Sequence, residues 1–182
     1  MTTGGIKNHT LSKNYTEYVD RYVSTMMANS TLDVLCMDHY PTFEYSTAYN
    51  WSMYSTAPVA TRGILVESLP GYRANLGVMR AASLRVGVPF WNFFKAVQVG
   101  DVDSDPTEAQ LRWQVFTSLA YGAKGVLYFC YNDDPCGRGG ILHQRAPAGV
   151  NWRPGKSGHV LGKGRHYSQA SRINSVLKVF GK

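Results

Sequence analysis

The chain has 182 residues, 44% hydrophobic and 17% charged, with 18 Gly and 8 Pro; this supplies a core of ordinary size and excludes a disordered or fibrous chain. No apolar run approaches the ~20 residues of a membrane helix, and MTTGGIKNHT lacks the apolar stretch of a signal peptide, so a soluble chain with no visible targeting signal is expected. The formal charge of +7 is uneven: residues 1–134 hold ten Lys/Arg and all twelve acids, and residues 135–182 hold nine Lys/Arg and no acid, which argues against a nucleic-acid-binding body.

Asn14 as N-cap and Glu17 three residues on form a capping-box-like pair. The helix they open carries Tyr15, Tyr18, Val19, Tyr22, Val23 and Met26 at helical spacing and ends at Asn29. LDVLCMDHYP then reads as a buried strand that stops at Pro41. A second helix is predicted from about Tyr72 to Val86, with Leu76, Met79 and Leu84 inward and Gly87 as C-cap; VPFWNFF is the next strand. The third helix is expected to take Asp105 as N-cap, Pro106 at N1 and Glu108 at N3. Its apolar face is Leu111, Val115, Phe116, Leu119 and Ala120, it ends at Gly122 and Gly125, and GVLYFCY follows as a strand. Ile173, Val176, Leu177 and Phe180 predict a terminal helix. Uniformly apolar strands alternating with amphipathic helices imply an α/β fold with a parallel sheet, either open and doubly wound or part of a (β/α)8 barrel. A full barrel needs ~250 residues, so three strands are less than half of one.

Function in either architecture sits at the carboxyl ends of the strands. The first strand delivers Asp38, His39 and Tyr40; the second, Asn92, Lys95 and, further on, Gln98; the third, Tyr131, Asn132, Asp133 and Asp134. Such a polar and aromatic rim suits a polyhydroxylated ligand, with Trp91, Tyr128 and Phe129 as stacking surfaces. Asp38 is the leading acid/base candidate, because burial at a strand end raises a carboxyl pKa; the competing role is a hydrogen bond to backbone or to an Arg. Glu44, in the Tyr/Ser/Thr-rich loop just past this rim, is the second candidate; Glu44 and Glu67 also read as exposed loop carboxylates. Glu17 and Glu108 are accounted for by helix capping, and Asp133-Asp134-Pro135 by a turn.

DVLCMDHYP, NLGVMRAASLRVGVPFWNFFKAVQ and PTEAQLRWQVFTSLAYGAKGVLYFCY, in this order and spacing, resemble the last three βα steps of TIM-barrel glycoside hydrolases of the β-galactosidase-like, retaining (β/α)8 clan. The likeness covers about residues 14–132, and RINSVLKVF is similar to the closing helix. The resemblance implies that the strands are the sixth to eighth of a partial (β/α)8 barrel, one domain over 1–182, with 133–165 as a basic Gly-rich loop or hairpin. It implies a carbohydrate substrate, no cofactor, and a strand-six tyrosine role for Tyr40. Hydrolysis in that clan uses two carboxyl groups, one after the fourth strand, which lies outside this sequence, and one ending the seventh, where WNFFKAVQ has none. The expectation is therefore a glycoside hydrolase-like domain, incomplete or impaired as it stands. The alternatives are a non-catalytic carbohydrate-binding remnant and an open α/β protein whose basic segment binds anionic polymers. Unpaired strand edges call for a second copy or an amino-terminal barrel half as partner, and predict poor solubility of the monomer. No membrane partner is expected.

Other chemistries have less support. The sequence holds no G-x-S-x-G elbow, P-loop, G-x-G-x-x-G after a strand or H-E-x-x-H, and its five His are scattered, so no metal site is expected. Cys36 beside His39 reads as core thiol rather than nucleophile. Pairing of Cys130 with Cys136 depends on an oxidising compartment. Sequons at Asn8, Asn14, Asn29 and Asn50 would suit a secreted glycoprotein and arise equally by chance; the compartment is left open. Residues 135–165 read as a solvated loop, or as a cationic lip with Trp152 for acidic polysaccharide or nucleic acid.

Overall fold

A computed structural model describes residues 15–41, 68–98, 105–131, 140–145 and 160–180. The chain is α/β. Helix α1 (Tyr15–Asn29) leads to strand β1 (Leu35–Asp38), α2 (Ser68–Val86), β2 (Phe90–Lys95), α3 (Glu108–Ala120) and β3 (Gly125–Phe129). Strands β4 (Leu142–Arg145) and β5 (Val160–Lys163) form an antiparallel pair, and α4 (Arg165–Phe180) follows. The order β1-β2-β3 is sequential and fully parallel.

All four helices pack on one face of this sheet. Leu35, Met37 and Phe90 join Val19 and Val23 of α1 and Tyr72, Leu76 and Met79 of α2 in one core cluster. Phe94, with Val126 and Tyr128 packed against its cluster, joins Leu111 and Val115 of α3 and Ile173 of α4 in a second. Strand alternation sends the remaining side chains, from Cys36 and Asp38 through Trp91, Phe93 and Lys95 to Gly125, Leu127 and Phe129, to the opposite face.

Three local expectations are corrected. Helix α3 begins after Thr107, not Asp105: the Thr107 hydroxyl accepts from Gln110 N, and the Gln110 side chain accepts from Thr107 N, closing a full capping box. Glu108 consequently stands in the first turn, where Arg112 and Arg172 of α4 pair with it. Leu84 is 70% exposed, because it lies off the stripe of Leu76, Met79, Ala82 and Val86 that meets the core; Phe180, 77% exposed, ends α4. Gly125 belongs to β3, while Gly87 (φ 71°) and Gly122 (φ 90°) terminate α2 and α3 in the left-handed region.

Candidate functional site

The carboxyl end of the sheet is built from the outer face of the strands. Register places Asp38 beside Phe93 and Leu127 in one row, and Lys95 beside Phe129 in the next. Tyr40, two residues past Asp38, is level with Lys95, and its ring meets that of Phe129 at 5.1 Å. Asp38, Tyr40, Lys95 and Phe129 therefore share one face and one end. Lys95 is completely buried. Its backbone is fixed from α3: Lys95 N donates to Gln114 Oε1 (3.0 Å), and Gln114 Nε2 donates to the Lys95 carbonyl (3.1 Å).

Burial pushes the Asp38 carboxyl above the usual carboxylate range, and the Tyr40 hydroxyl partly opposes this. A carboxyl so placed keeps its proton to a higher pH than a solvated one, the state in which a carboxyl can serve as a hydrogen-bond donor or general acid. Asp38 is the one carboxylate among the residues of the three strands.

The other predicted rim residues divide. His39 turns to the helix side: its Nδ1 accepts from Asn75 Nδ2 (2.9 Å), its ring stands edge-on to Tyr72 at 5.2 Å, and burial lowers its pKa to about 4. Asn92, expected at the rim, sits mid-strand in the core, where its Nδ2 donates to Tyr72 Oη (2.7 Å) and Ser118 Oγ (2.9 Å). The alternation that directs Lys95 to the outer face sends residue 92 to the helix side.

Trp91, also expected at the rim, lies at the amino end of β2 on the outer face, with Cys36 and Gly125 as register neighbours. A Cβ on Gly125 would meet three indole carbons at 2.8 Å, so the ring lies flat on the glycine. Gln98 is half-buried three residues past β2. Tyr131 is 59% exposed past β3, and its carbonyl accepts from Leu142 N (2.7 Å). Glu44, Asn132, Glu67, Asp133, Asp134, Cys136 and Trp152 lie outside the described residues, as do Asn8, Asn14 and Asn50 of the sequons.

Sequence reasoning missed a polar cluster at the same end of the molecule. His166, fully buried in the first turn of α4, places Nε2 2.6 Å from Asp105 Oδ1 and Nδ1 2.6 Å from Gln169 Oε1. Arg165 pairs with the second Asp105 oxygen (2.7 Å) and donates to the Pro106 carbonyl (2.9 Å). No local pattern links residues 105 and 166; Asp-Pro-Thr reads locally as a cap. Among the described residues no group of His, Cys, Asp and Glu is arranged to hold a metal ion, and no helix is long and apolar enough to cross a membrane. No family model, curated protein or solved structure matches the chain.

Proposed function

We propose that the chain is the carboxyl-terminal portion of a glycoside hydrolase-like (β/α)8 barrel, and that the carboxyl end of its sheet binds carbohydrate. The observation that carries this reading is the one-sided sheet. A doubly wound fold covers both faces with helices; among the described residues the strands run in sequential order with every helix on one side, which is the local arrangement of a barrel wall. The outer face then corresponds to the barrel interior, and its composition supports that. Cys36, Trp91 and Gly125 alternate small, large, small across the amino-end layer, as a filled barrel interior requires. The polar groups Asp38, Tyr40 and Lys95 are gathered at the carboxyl end, where barrel enzymes bind their substrates.

In this reading Asp38 is the proton donor or a sugar hydroxyl partner, Tyr40 and Phe129 offer ring faces to a pyranose, and Trp91 fills the barrel floor. The second carboxyl group comes from strands outside this sequence or from Glu44. The Lys95-Ala96-Val97-Gln98 end of β2 favours the second reading, a carbohydrate-binding remnant without hydrolysis, because a cation stands where a retaining barrel needs a nucleophilic carboxylate. Glycan binding separates the carbohydrate reading from its absence: calorimetry against a panel of neutral and acidic oligosaccharides should show binding that Asp38→Asn weakens about tenfold or more, roughly the loss of one charge-assisted or buried hydrogen bond. Release of reducing sugar by the wild type distinguishes the enzyme from the remnant. Wild-type chain that folds and binds no glycan would refute both.

A further inference from the structure

We propose that Tyr131 forms an outer stacking platform at the carboxyl end of the sheet, and that the ligand there is an oligosaccharide of at least two sugar units. This rests on the carbohydrate reading above and specifies its substrate class.

Seven large apolar side chains are exposed among the described residues, and their positions separate them. Four stand in the last turns of α1, α2 and α4, and Trp91 stands near the start of β2, all away from the carboxyl end of the sheet. The other two, Tyr131 and Tyr167, belong to that end. Tyr167, in the first turn of α4, has the Lys163 ammonium 4.6 Å from its ring centroid, so one face of this ring is taken. Tyr131 is 59% exposed, and among the described residues its ring meets neither another ring nor a cation.

Exposure alone is ordinary for a surface side chain; what sets Tyr131 apart is the backbone beneath it. Three successive carbonyls are tied: that of Phe129 accepts from Ala96 N (2.6 Å), that of Cys130 from Ile141 N (3.4 Å) and that of Tyr131 from Leu142 N (2.7 Å). Ile141 is buried in the core cluster of Phe94, Leu111 and Ile173, and its own carbonyl accepts from Gly164 N (3.0 Å) just before α4. The strand end that carries Tyr131 is therefore anchored to the core beneath α3 and α4. A ring on a backbone fixed in this way loses little chain entropy when a ligand settles on it.

Tyr131 follows Phe129 by two residues, so their Cα atoms are at most about 7 Å apart. Phe129 packs in turn against Tyr40, with 5.1 Å between ring centroids. The carboxyl end thus offers a half-buried aromatic pair and then an exposed ring one step further along the chain. One sugar unit occupies the inner pair, and a second, linked unit reaches the outer ring. Tyrosine suits that second unit, because its apolar face takes the C–H face of a pyranose while its hydroxyl stays in water or meets a sugar hydroxyl. A single sugar engages the inner pair only.

The test is calorimetry of the full chain against glucose, galactose and mannose, each as the single sugar and as its β-1,4-linked dimer and trimer. In at least one series the dimer or trimer should bind about tenfold tighter than the single sugar. Tyr131→Ala should cost roughly three- to tenfold in affinity for the longer ligand, the loss of one aromatic contact, and leave the single sugar unaffected. Tyr131→Phe, which keeps the ring, should retain most of the gain. Should the Ala variant lose its cooperative melt in urea, Tyr131→Leu, which keeps bulk without a planar face, replaces it. Equal affinity for single sugar and oligomer overturns the inference and leaves the carbohydrate reading standing. A length preference that Tyr131→Ala or Tyr131→Leu retains also overturns it, because another surface then holds the second unit. Binding of no sugar in any series overturns both.

Discussion

His166 Nε2 lies 2.6 Å from Asp105 Oδ1 with the imidazole wholly buried. The contact joins the first turn of α4 to the residues that lead into α3, 61 positions earlier in the chain. With Arg165 on the other carboxylate oxygen, it is the polar fastening that sets α4 against α3 at the site end of the sheet. His166→Ala removes a fully buried ring together with a charge-assisted hydrogen bond and should cost about 2–4 kcal/mol. Urea denaturation of His166→Ala, Asp105→Ala and the double variant should give a coupling of about 1–3 kcal/mol; additive losses would mean that the two side chains act separately.

Gln114 makes a second testable fastening. Its side-chain amide satisfies the N–H and C=O of Lys95 and also donates to the Gln110 carbonyl. Gln114→Ala leaves two backbone groups of a buried residue without this partner, and should destabilise by about 2–4 kcal/mol. Gln114→Glu keeps the acceptor for Lys95 N but loses the donor to its carbonyl, so it should also destabilise. If Gln114→Ala matches wild type in urea, Lys95 is held by something other than α3.

The legibility of this fold follows how local each signal is. Strands β1 to β3 and the helices α1 to α4 are readable because each rests on a run of neighbouring apolar residues, and the positive-φ glycines 87 and 122 stand where the periodicity stops. The start of α3 was misread because Asp105 and Thr107 are both good caps two residues apart. The choice is made by Gln110, which reciprocates to Thr107, and by His166, which takes Asp105; the latter partner is invisible in a local window. Strand parity decided the fate of the rim residues. Asp38 is level with Phe93, and Tyr40 and Lys95 each stand two residues further along their own chain segments, so the three share a face, whereas His39 and Asn92 fall on the other parity and enter the helix-side core. Listing residues by nearness to a strand end ignores this, and counting the alternation inward from the apolar Leu35 and Phe90 would have separated them.

Two glycines should respond to alanine with opposite signs. Gly77 lies inside α2, where a Cβ meets only Tyr121 Cε1 at 3.9 Å, ordinary contact; Gly77→Ala should stabilise by about 0.5–1 kcal/mol through helix propensity. At Gly125 the added Cβ would lie 2.8 Å from the Trp91 ring, so the indole must lift off the sheet. Gly125→Ala should destabilise by about 1–3 kcal/mol and change the fluorescence contributed by Trp91, identified by difference against Trp91→Phe. A stabilised Gly125→Ala would mean that the indole relocates freely and does not form a packed layer with Cys36.

The pH dependence of stability has a sign that His39 determines. Its folded pKa, lowered to about 4 by burial against Tyr72 and Asn75, lies below the ~6.5 of an unfolded histidine. Between these values the unfolded chain binds a proton that the native chain refuses, so stability falls as pH drops from about 6.5 to about 4 and is unaffected by His39 above that window. The loss is at most about 3.5 kcal/mol, from ~1.4 kcal/mol per pKa unit. Asp38 works against it: a carboxyl whose folded pKa is raised favours the folded state at low pH. Urea midpoints measured from pH 7.5 to 4 should therefore decline, the decline should flatten in His39→Gln, and it should steepen in Asp38→Asn, which removes the opposing carboxyl. Proton NMR of the imidazole provides the direct check, because a His39 that titrates near 6.5 in the folded chain would remove the linkage and, with it, the placement of this ring in the helix-side core.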